Sequence, residues 1–351
     1  MILDLVKVFL PATVAFGLGI AITPALSHYF YTHKMWKKKA GKVAPDGSDT
    51  PIFNKLHGGR DFGVPCIGGV VIWVASIMTV VAFFALAKLH PTELTTKLDF
   101  LSRNQTWLPL FTLITASLVG LADDLFQIYG GGGYVAGGLP LRTRILLVLL
   151  IGALGGTWFY LKLGLTSLTV VTLGQIDFGV WIVPLFMLVM LALFSGGVID
   201  GIDGLAGGIM ATIFAAYSGI AFFQNQINIA AFSAVLTGAI LAFLWFNIPP
   251  ARFYMGESGM LGLTAALSVV AFLTNAVPEL MIIALPLFIA SGSDIIQLLS
   301  KRFRGKKVFL IAPIHHHFEA IGWPSYKVVM RFWVISVICA VVGMALALVS
   351  H

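Results

Sequence analysis

The stretch INIAAFSAVLTGAILAFLWFNI, residues 227–248, decides the fold because it contains no charged side chain. A transmembrane α-helix needs about 20 mainly apolar residues, so this stretch predicts a membrane span. Nine further apolar runs lie at 2–26, 66–87, 107–122, 145–161, 180–199, 205–223, 260–277, 280–299 and 328–348, of which 107–122 is the shortest. The sequence therefore predicts an all-α, multi-pass membrane protein with about ten transmembrane helices.

The composition agrees with this fold class. The chain is 58% hydrophobic and only 11% charged, whereas soluble domains carry about 25% charged residues. We predict one membrane domain over residues 1–351, without a cleavable signal peptide, because the first apolar run carries Asp4 and Lys7 and continues too far. The net charge of +7 favours anionic headgroups and an anionic substrate over nucleic acid. Cys66 and Cys339 are predicted to be unpaired packing thiols.

The distribution of cations predicts the orientation. If the polar loop 31–65 is cytoplasmic, only five of the 22 lysines and arginines fall on the opposite side: Lys7, Lys88, Lys97, Arg103 and Lys162. The positive-inside rule then places both termini outside, which an even number of spans allows. Between the fourth and fifth spans, residues 166–173 look strand-like and Gly174 is a turn residue, which predicts a small external β-hairpin.

Five carboxylates fall in loops or span ends on the predicted cytoplasmic side: Asp123, Asp124, Asp200, Asp203 and Glu257. Acids at the membrane are costly and usually functional. Adjacent aspartates repel each other and favour a bound cation, and oxygen ligands beside phosphate favour Mg²⁺. The alternative is that each acid caps the helix that follows it.

The tract Ala312-Pro313-Ile314-His315-His316-His317-Phe318-Glu319 is predicted to lie on the same side. It follows the basic stretch 301–307, and clustered imidazoles and cations can bind phosphates at neutral pH. Two alternatives are a zinc site and an exposed polar turn. Zinc is disfavoured because consecutive histidines alternate in direction and no cysteine is near. The glycine-rich loop 129–138 lacks the strand-to-helix context of a phosphate-binding loop.

These tracts resemble the phospho-MurNAc-pentapeptide transferases, the MraY family, within the superfamily of polyprenyl-phosphate N-acetylhexosamine-1-phosphate transferases. The histidine tract is the most specific part of the resemblance, which covers nearly the whole chain. The other matching segments are Gly120-Leu121-Ala122-Asp123-Asp124, Asp200-Gly201-Ile202-Asp203-Gly204-Leu205-Ala206, Asn247, Pro250-Ala251, Met255-Gly256, Gly322-Trp323-Pro324 and Arg331-Phe332-Trp333.

The resemblance implies a Mg²⁺-dependent sugar-phosphate transferase of peptidoglycan and cell-wall biosynthesis, and hence a role in cell shape and division. Undecaprenyl phosphate would attack UDP-MurNAc-pentapeptide at the cytoplasmic face of the bacterial inner membrane, giving lipid I and UMP. Membrane lipid would be a further partner, and relatives form homodimers, although the sequence identifies no interface.

The same resemblance assigns roles to individual residues. Catalytic roles fall to Asp123, Asp124, Asp200 and His316, with one of the adjacent aspartates activating the lipid phosphate and the other steering the metal. Substrate contacts fall to Asp203, Asn247, Tyr254, His315, His317 and Arg60, with Tyr254 stacking on uracil. Metal ligands are Glu257, Asp123 and Asp124.

Several positions depart from the family pattern. Four single positions differ: Glu257 stands in place of an aspartate, Gly197 in place of an asparagine, Gln127 in place of a lysine and Tyr254 in place of a phenylalanine. The pair Arg60-Asp61 stands in place of two lysines. An acid is expected at position 290, where this chain has Ala290, and Asp294 follows four positions later. These departures indicate a divergent branch or an altered substrate.

Three other functions remain open on the sequence. The first is a sister transferase using a simpler sugar nucleotide such as UDP-GlcNAc, which the histidine tract disfavours. The second is a transporter or lipid carrier, for which the only supporting features are Asp294 as a candidate midplane charge and Pro286 as a candidate helix break. The third is a catalytically inactive homologue, suggested by Gly197, Gln127 and Glu257 together.

Overall fold

The computed structural model describes residues 2–37, 63–101, 104–130, 138–171 and 173–350. Its helices are α1 Ile2–Thr32, α2 Val70–Leu89, α3 Glu93–Leu98, α4 Asn104–Tyr129, α5 Leu141–Leu163, α6 Ile182–Ser195, α7 Leu205–Phe223, α8 Ile227–Asn247, α9 Gly256–Leu273, α10 Val277–Ile283, α11 Leu285–Arg304, α12 Ile314–Ala320 and α13 Ser325–Ser350. Two 3₁₀ turns, Gly179–Trp181 and Gly196–Ile199, flank α6.

The predicted all-α membrane architecture is confirmed. Within the described ranges, nine helices are long and apolar enough to cross a membrane, including α4, which contains the shortest predicted run. The predicted span at 280–299 is instead a broken pair, α10 and α11, bent by 76°. Counting this pair as one span gives ten. Pro286 lies in the first turn of α11, where its missing N–H and its ring prevent a continuous helix through this point.

Helices α7, α8 and α9 form the buried centre of the bundle. Helix α9 packs mainly against α4, and α8 packs against both α1 and α7. Small residues allow these close approaches: a Cβ added at Gly19 would lie 2.5 Å from Cβ of Ala242. Glycines 152, 155 and 156 of α5 face α6, so these small residues pack within one chain and do not provide a surface for a second copy.

The predicted β-hairpin is also confirmed. Strands β1 Ser167–Val170 and β2 Gly174–Asp177 pair antiparallel, although Gly174 opens the second strand and does not form the turn itself. Asn275 binds the hairpin through the backbone N–H of Thr169 (3.1 Å) and its hydroxyl (2.8 Å). Because Asn275 follows the C-terminus of α9, the hairpin lies at the end of the bundle opposite to the N-terminus of α9.

Candidate active site

The N-terminus of α9 is where two of the predicted acids meet. The backbone N–H of Gly256 donates to Asp200 (3.0 Å), and those of Glu257 and Ser258 donate to Asp124 (3.1 and 2.8 Å). The first N–H groups of a helix have no partner within the helix and carry partial positive charge, so carboxylates bind there favourably. Asp124 and Asp200 therefore do bind the N-terminus of a helix, as the capping alternative states. That alternative is wrong about which helix, because neither acid is followed directly by α9 in the chain.

Glycines allow this close approach. A Cβ at Gly120 of α4 would collide with the backbone of Glu257, and Gly256 has a φ of +69°, a conformation that side chains disfavour. The segment 65–69 then pairs with the residues before α9: Tyr254 N–H donates to Pro65 O, and Gly68 N–H donates to Tyr254 O, both at 2.8 Å. The backbone around α9 is thus fixed from two sides.

A guanidinium bridges two other predicted acids. Nη1 of Arg144, in the first turns of α5, lies 2.7 Å from Oε1 of Glu257 and 3.7 Å from Oδ2 of Asp123. Asp123 is buried, and it also accepts hydrogen bonds from the side chain of Gln127 (2.9 Å) and the backbone N–H of Leu139. The sequence indicated only that Arg144 is one of the cations on the cytoplasmic side. Its place in the site, between Glu257 and Asp123, was not predicted.

The predicted Mg²⁺ ligands do not form a complete metal centre by themselves. The described part of the chain contains no cluster of three or more His, Cys, Asp or Glu side chains placed to hold a metal. Both oxygens of Asp124 accept backbone hydrogen bonds, and Glu257 pairs with Arg144. Mg²⁺ is commonly bound by one or two carboxylates plus waters and substrate phosphates. The hard oxygens of Asp123 and Glu257 fit that mode, with substrate completing the ligand set.

The histidine tract forms the short helix α12 and is mostly inside the protein. His315 and His316 are buried, so the exposed-turn alternative is wrong for these two residues, and His317 is half-buried. The expectation that the rings alternate in direction is also wrong, because the helix brings the first two rings within 4.3 Å. A Cβ at Gly201 would lie 2.6 Å from Nε2 of His316 and 2.9 Å from Nε2 of His315. Both rings therefore face the loop that carries Asp200 and Asp203.

Residues 306–314, which we name the strap, connect α11 to α12 and are held by the polar face of α11. The side chain of Gln297 accepts from the N–H groups of Val308 (2.9 Å) and Phe309 (3.0 Å) and donates to Phe309 O (2.8 Å). Oγ of Ser293 accepts from Ile314 N–H (2.9 Å) at the start of α12. These bonds set where the histidine tract begins.

Two predicted nucleotide-binding residues join neighbouring loops. Asp203 accepts from the N–H of Ala251 (3.1 Å). The buried Asn247 accepts from Gly204 N–H (2.9 Å) and donates to Phe253 O (2.8 Å), so both ends of its amide are used by backbone. Tyr254 is half-buried next to this loop. Arg60, Asp61 and most of the glycine-rich loop lie outside the described residues.

The two cysteines are unpaired and buried, as predicted. Burial raises the pKa of the Cys66 thiol to about 12, and the neighbouring carboxylate of Asp124 adds to the shift. A thiol with this pKa is protonated and unreactive at neutral pH. Cys66 is therefore a packing residue beside the site and not a nucleophile in it.

Comparison with known proteins identifies the family. Residues 106–275 match the family model described as glycosyl transferase family 4. The chain is 31% identical over 326 residues to the phospho-N-acetylmuramoyl-pentapeptide-transferase of Latilactobacillus sakei, covering 92% of this chain and 95% of the relative. It is 32% identical over 345 residues to that of Levilactobacillus brevis, covering 97% and 98%. The chain belongs to the phospho-N-acetylmuramoyl-pentapeptide-transferase family.

Membership in the phospho-N-acetylmuramoyl-pentapeptide-transferase family confirms the resemblance drawn from the motifs. The protein is a phosphosugar transferase of peptidoglycan and cell-wall biosynthesis, and a multi-pass bacterial membrane protein. A third relative carries the same name: the phospho-N-acetylmuramoyl-pentapeptide-transferase of Clostridium perfringens is 32% identical over 311 residues, covering 84% of this chain and 92% of the relative. The departures at Glu257 and Gln127 now have structural partners, Arg144 and Asp123.

Proposed function

We propose that the protein transfers phospho-MurNAc-pentapeptide from UDP-MurNAc-pentapeptide to undecaprenyl phosphate. A phosphate oxygen of the lipid attacks the β-phosphorus of the donor, and the bond from that phosphorus to the bridging oxygen breaks. UMP leaves with the bridging oxygen, and the new pyrophosphate links the lipid to MurNAc-pentapeptide as lipid I. Because the attacking oxygen is already anionic, catalysis requires mainly positioning and neutralisation of charge.

The observation that carries this proposal is the arrangement around the N-terminus of α9. Asp124 and Asp200 are bound there, Glu257 and Asp123 lie beside Arg144, and the histidine tract faces the Asp200 loop. Acids, a guanidinium and imidazoles from five helices and loops thus share one end of the bundle. A pyrophosphate donor and a phosphate acceptor need this combination of fixed cations and carboxylates that can hold a metal.

On the acceptor side we assign the adjacent aspartates different roles. Asp124 uses both oxygens to hold α9, so it fixes the acidic wall of the site. Asp123 lies beside Arg144 and faces the start of α5. We therefore propose that Asp123 meets the lipid phosphate and aligns its attacking oxygen. Arg144, which already balances carboxylate charge here, would neutralise charge on the transferred phosphate.

We propose Mg²⁺ as the cofactor, held by Asp123 and Glu257 together with substrate oxygens, with Asp124 beside them. When bound, Mg²⁺ would neutralise the pyrophosphate and improve UMP as a leaving group. Glu257 is one methylene longer than the aspartate of the family pattern, and its carboxylate lies 2.7 Å from Nη1 of Arg144. The chain's own residues supply the orientation: α9 carries Glu257, and Asp124 holds α9 in place.

On the donor side we propose that Asp200 and Asp203 bind the nucleotide half and that the ring of Tyr254 stacks on uracil. His315, His316 and His317 would meet the phosphate and sugar, with Arg60 as a further cation for the substrate. Asn247 contributes indirectly, because its amide joins the Asp203 loop to the residues preceding α9.

The orientation of the site follows from charge. The exposed cations at the end of α11 and in the strap, Arg302, Arg304, Lys306 and Lys307, lie at the same end as the histidine tract. By the positive-inside rule we propose that this end faces the cytoplasm, across the bacterial inner membrane, with both termini outside. One domain, 1–351, would carry the whole reaction, and we leave the predicted homodimer as a proposal.

The test is UMP release by detergent-purified protein supplied with undecaprenyl phosphate and Mg²⁺. UDP-MurNAc-pentapeptide and UDP-GlcNAc are offered separately, with Asp123→Asn as the inactive control. We expect UMP from the pentapeptide donor, loss of release with EDTA, and a decrease of at least about 100-fold in the variant. UMP from UDP-GlcNAc alone would instead make the protein a sister transferase. Release from neither donor by folded protein would indicate an inactive homologue.

A further inference from the structure

Helix α12 carries an acid, Glu319, that the family assignment leaves without a role. One carboxylate oxygen of Glu319 lies 2.8 Å from Nδ1 of His316, one helical turn earlier. The other oxygen accepts a hydrogen bond from the hydroxyl of Ser325 at 2.6 Å. His316 and Glu319 are 1% and 8% exposed, so this contact is shielded from water.

The contact determines which nitrogen of His316 faces the site. An ionised carboxylate can only accept hydrogen bonds, so Nδ1 of His316 must be the donor. The opposite ring atom, Nε2, is the one that lies against Gly201, between Asp200 and Asp203 in the chain. A histidine held through Nδ1 by a buried carboxylate therefore presents Nε2 in a fixed direction toward the acidic loop.

Ser325 restricts Glu319 in turn. It is the first residue of α13, the long C-terminal span, whereas Glu319 lies near the end of α12. The hydroxyl thus connects the carboxylate to a separate helix, α13. Trp333, two turns further along α13, donates to the backbone oxygen of Gly204 (3.1 Å), directly after the Asp200–Asp203 segment. The orientation of His316 and the position of the loop it faces are consequently set by the same helix.

We propose that Glu319 is a positioning residue for the transfer reaction, that it fixes the orientation and tautomer of His316, and that Ser325 fixes Glu319. This inference rests on the proposed function. In enzymes that use histidine, an acid partner on the far ring nitrogen commonly sets the tautomer, and its loss reduces activity while the fold remains intact. The alternative role for Glu319 is purely structural, as a link between α12 and α13.

A double-mutant cycle separates the two roles. Glu319→Gln keeps the size of the side chain but removes its charge and replaces one of its two acceptor oxygens with an NH₂ donor. We expect kcat for UMP release to fall about 10- to 100-fold, while KM for the donor changes less than about threefold. In a His316→Ala background, Glu319→Gln should cause no further decrease, because its effect acts through the imidazole. Ser325→Ala should lower kcat about fivefold, the size expected for one lost hydrogen bond.

Thermal melting of each variant provides the structural readout, and Ser350→Ala is the matched serine control, near the opposite end of α13. If Glu319 has only a structural role, Glu319→Gln should lower the melting temperature strongly. It should also reduce kcat by the same factor in the wild-type and His316→Ala backgrounds. Full kcat in Glu319→Gln, or that multiplicative pattern, would overturn the inference. Should Glu319→Gln fail to fold, Ser325→Ala alone decides, since unchanged kcat there would also overturn it. If the wild-type protein itself releases no UMP, the proposed function fails. That outcome differs from the outcomes above, in which the wild type is active and only the variants are compared.

Discussion

Replacing Arg144 with methionine removes the guanidinium between Glu257 and Asp123 while keeping most of the apolar length of the side chain. At an effective dielectric constant of 20, the attraction is about 6 kcal/mol at the 2.7 Å contact and about 4 kcal/mol at the 3.7 Å contact. The Arg144 and Glu257 side chains are 18% and 28% exposed, so water offsets part of both values. Breaking a fully buried pair costs about 3–5 kcal/mol, and we expect about 2–3 kcal/mol here.

The assay is thermal unfolding of the detergent-purified protein, followed by intrinsic fluorescence. For a chain of this length we expect Arg144→Met to lower the melting temperature by about 3–4 °C. Adding Glu257→Gln should recover about half of the loss or more, because the carboxylate left without its cation is then neutral. Arg142→Met is the matched control: Arg142 is exposed and two positions away, and its loss should change the melting temperature by less than about 1 °C.

Two outcomes would refute this reasoning. If Arg144→Met melts like Arg142→Met, the guanidinium does not hold the two acids together. If Glu257→Gln adds to the loss instead of offsetting it, the effect of Arg144 does not pass through the charge of Glu257.

Two further predictions concern the strap and the buried thiol. Gln297→Leu leaves three backbone groups of Val308 and Phe309 unbonded, at about 1 kcal/mol each, so hydrogen exchange of those two amides should accelerate about 100-fold. The control is Gln226→Leu, which loses one bond to Leu273 O at the other end of the bundle and should leave exchange of the Val308 and Phe309 amides unchanged. If these two amides exchange as slowly in Gln297→Leu as in the wild type, Gln297 does not hold the strap. Burial raises the pKa of Cys66 to about 12, so only about one thiol in a thousand is ionised at pH 9, whereas an ordinary cysteine is mostly ionised there. Iodoacetamide should therefore label Cys66 at pH 9 at least about 100-fold more slowly in the folded protein than in the denatured protein, as measured by mass spectrometry of the labelled peptide. Equal labelling rates in the two states would contradict the raised pKa.

The spans were predictable because hydropathy is a local property of the chain. Residues 205–223 were predicted as a span and form a helix over the same range. A helix break at Pro286 was raised only in support of a transporter, and the ten-span prediction treats 280–299 as one helix because that run is apolar throughout its first half. Whether a proline kinks a span or divides it depends on packing against neighbouring helices, which hydropathy does not report.

The candidate site was predicted in its location but not in its contacts. Assigning loops to sides of the membrane was enough to place the acids and histidines together. The bond from Ser258 N–H to Asp124, by contrast, joins residues 134 positions apart, and no local pattern indicates it. Arg144 was missed for the same reason, since a cation at the start of a span is ordinarily a marker of orientation. The one available signal was the longer acid at Glu257, which departs from the family's aspartate.

The role of Asn247 and the burial of the histidines also depended on tertiary structure. A family motif marks Asn247 as part of the site, but only the fold shows that its amide bonds to two loops. Three consecutive histidines suggest an exposed polar turn, whereas the first two are buried against Gly201 and α13. Motifs therefore located the site, and the hydrogen bonds distinguish residues that face substrate from residues that hold the others in place.

The most direct test of the central claim is the mass of the lipid product. Undecaprenyl phosphate, both sugar nucleotides and Mg²⁺ are incubated together with the protein, and the extracted lipid is analysed by mass spectrometry. We expect undecaprenyl phosphate to gain the mass of phospho-MurNAc-pentapeptide, and His316→Ala to reduce this product strongly at equal protein concentration. A product carrying phospho-GlcNAc, or unmodified undecaprenyl phosphate from folded wild-type protein, would contradict this expectation.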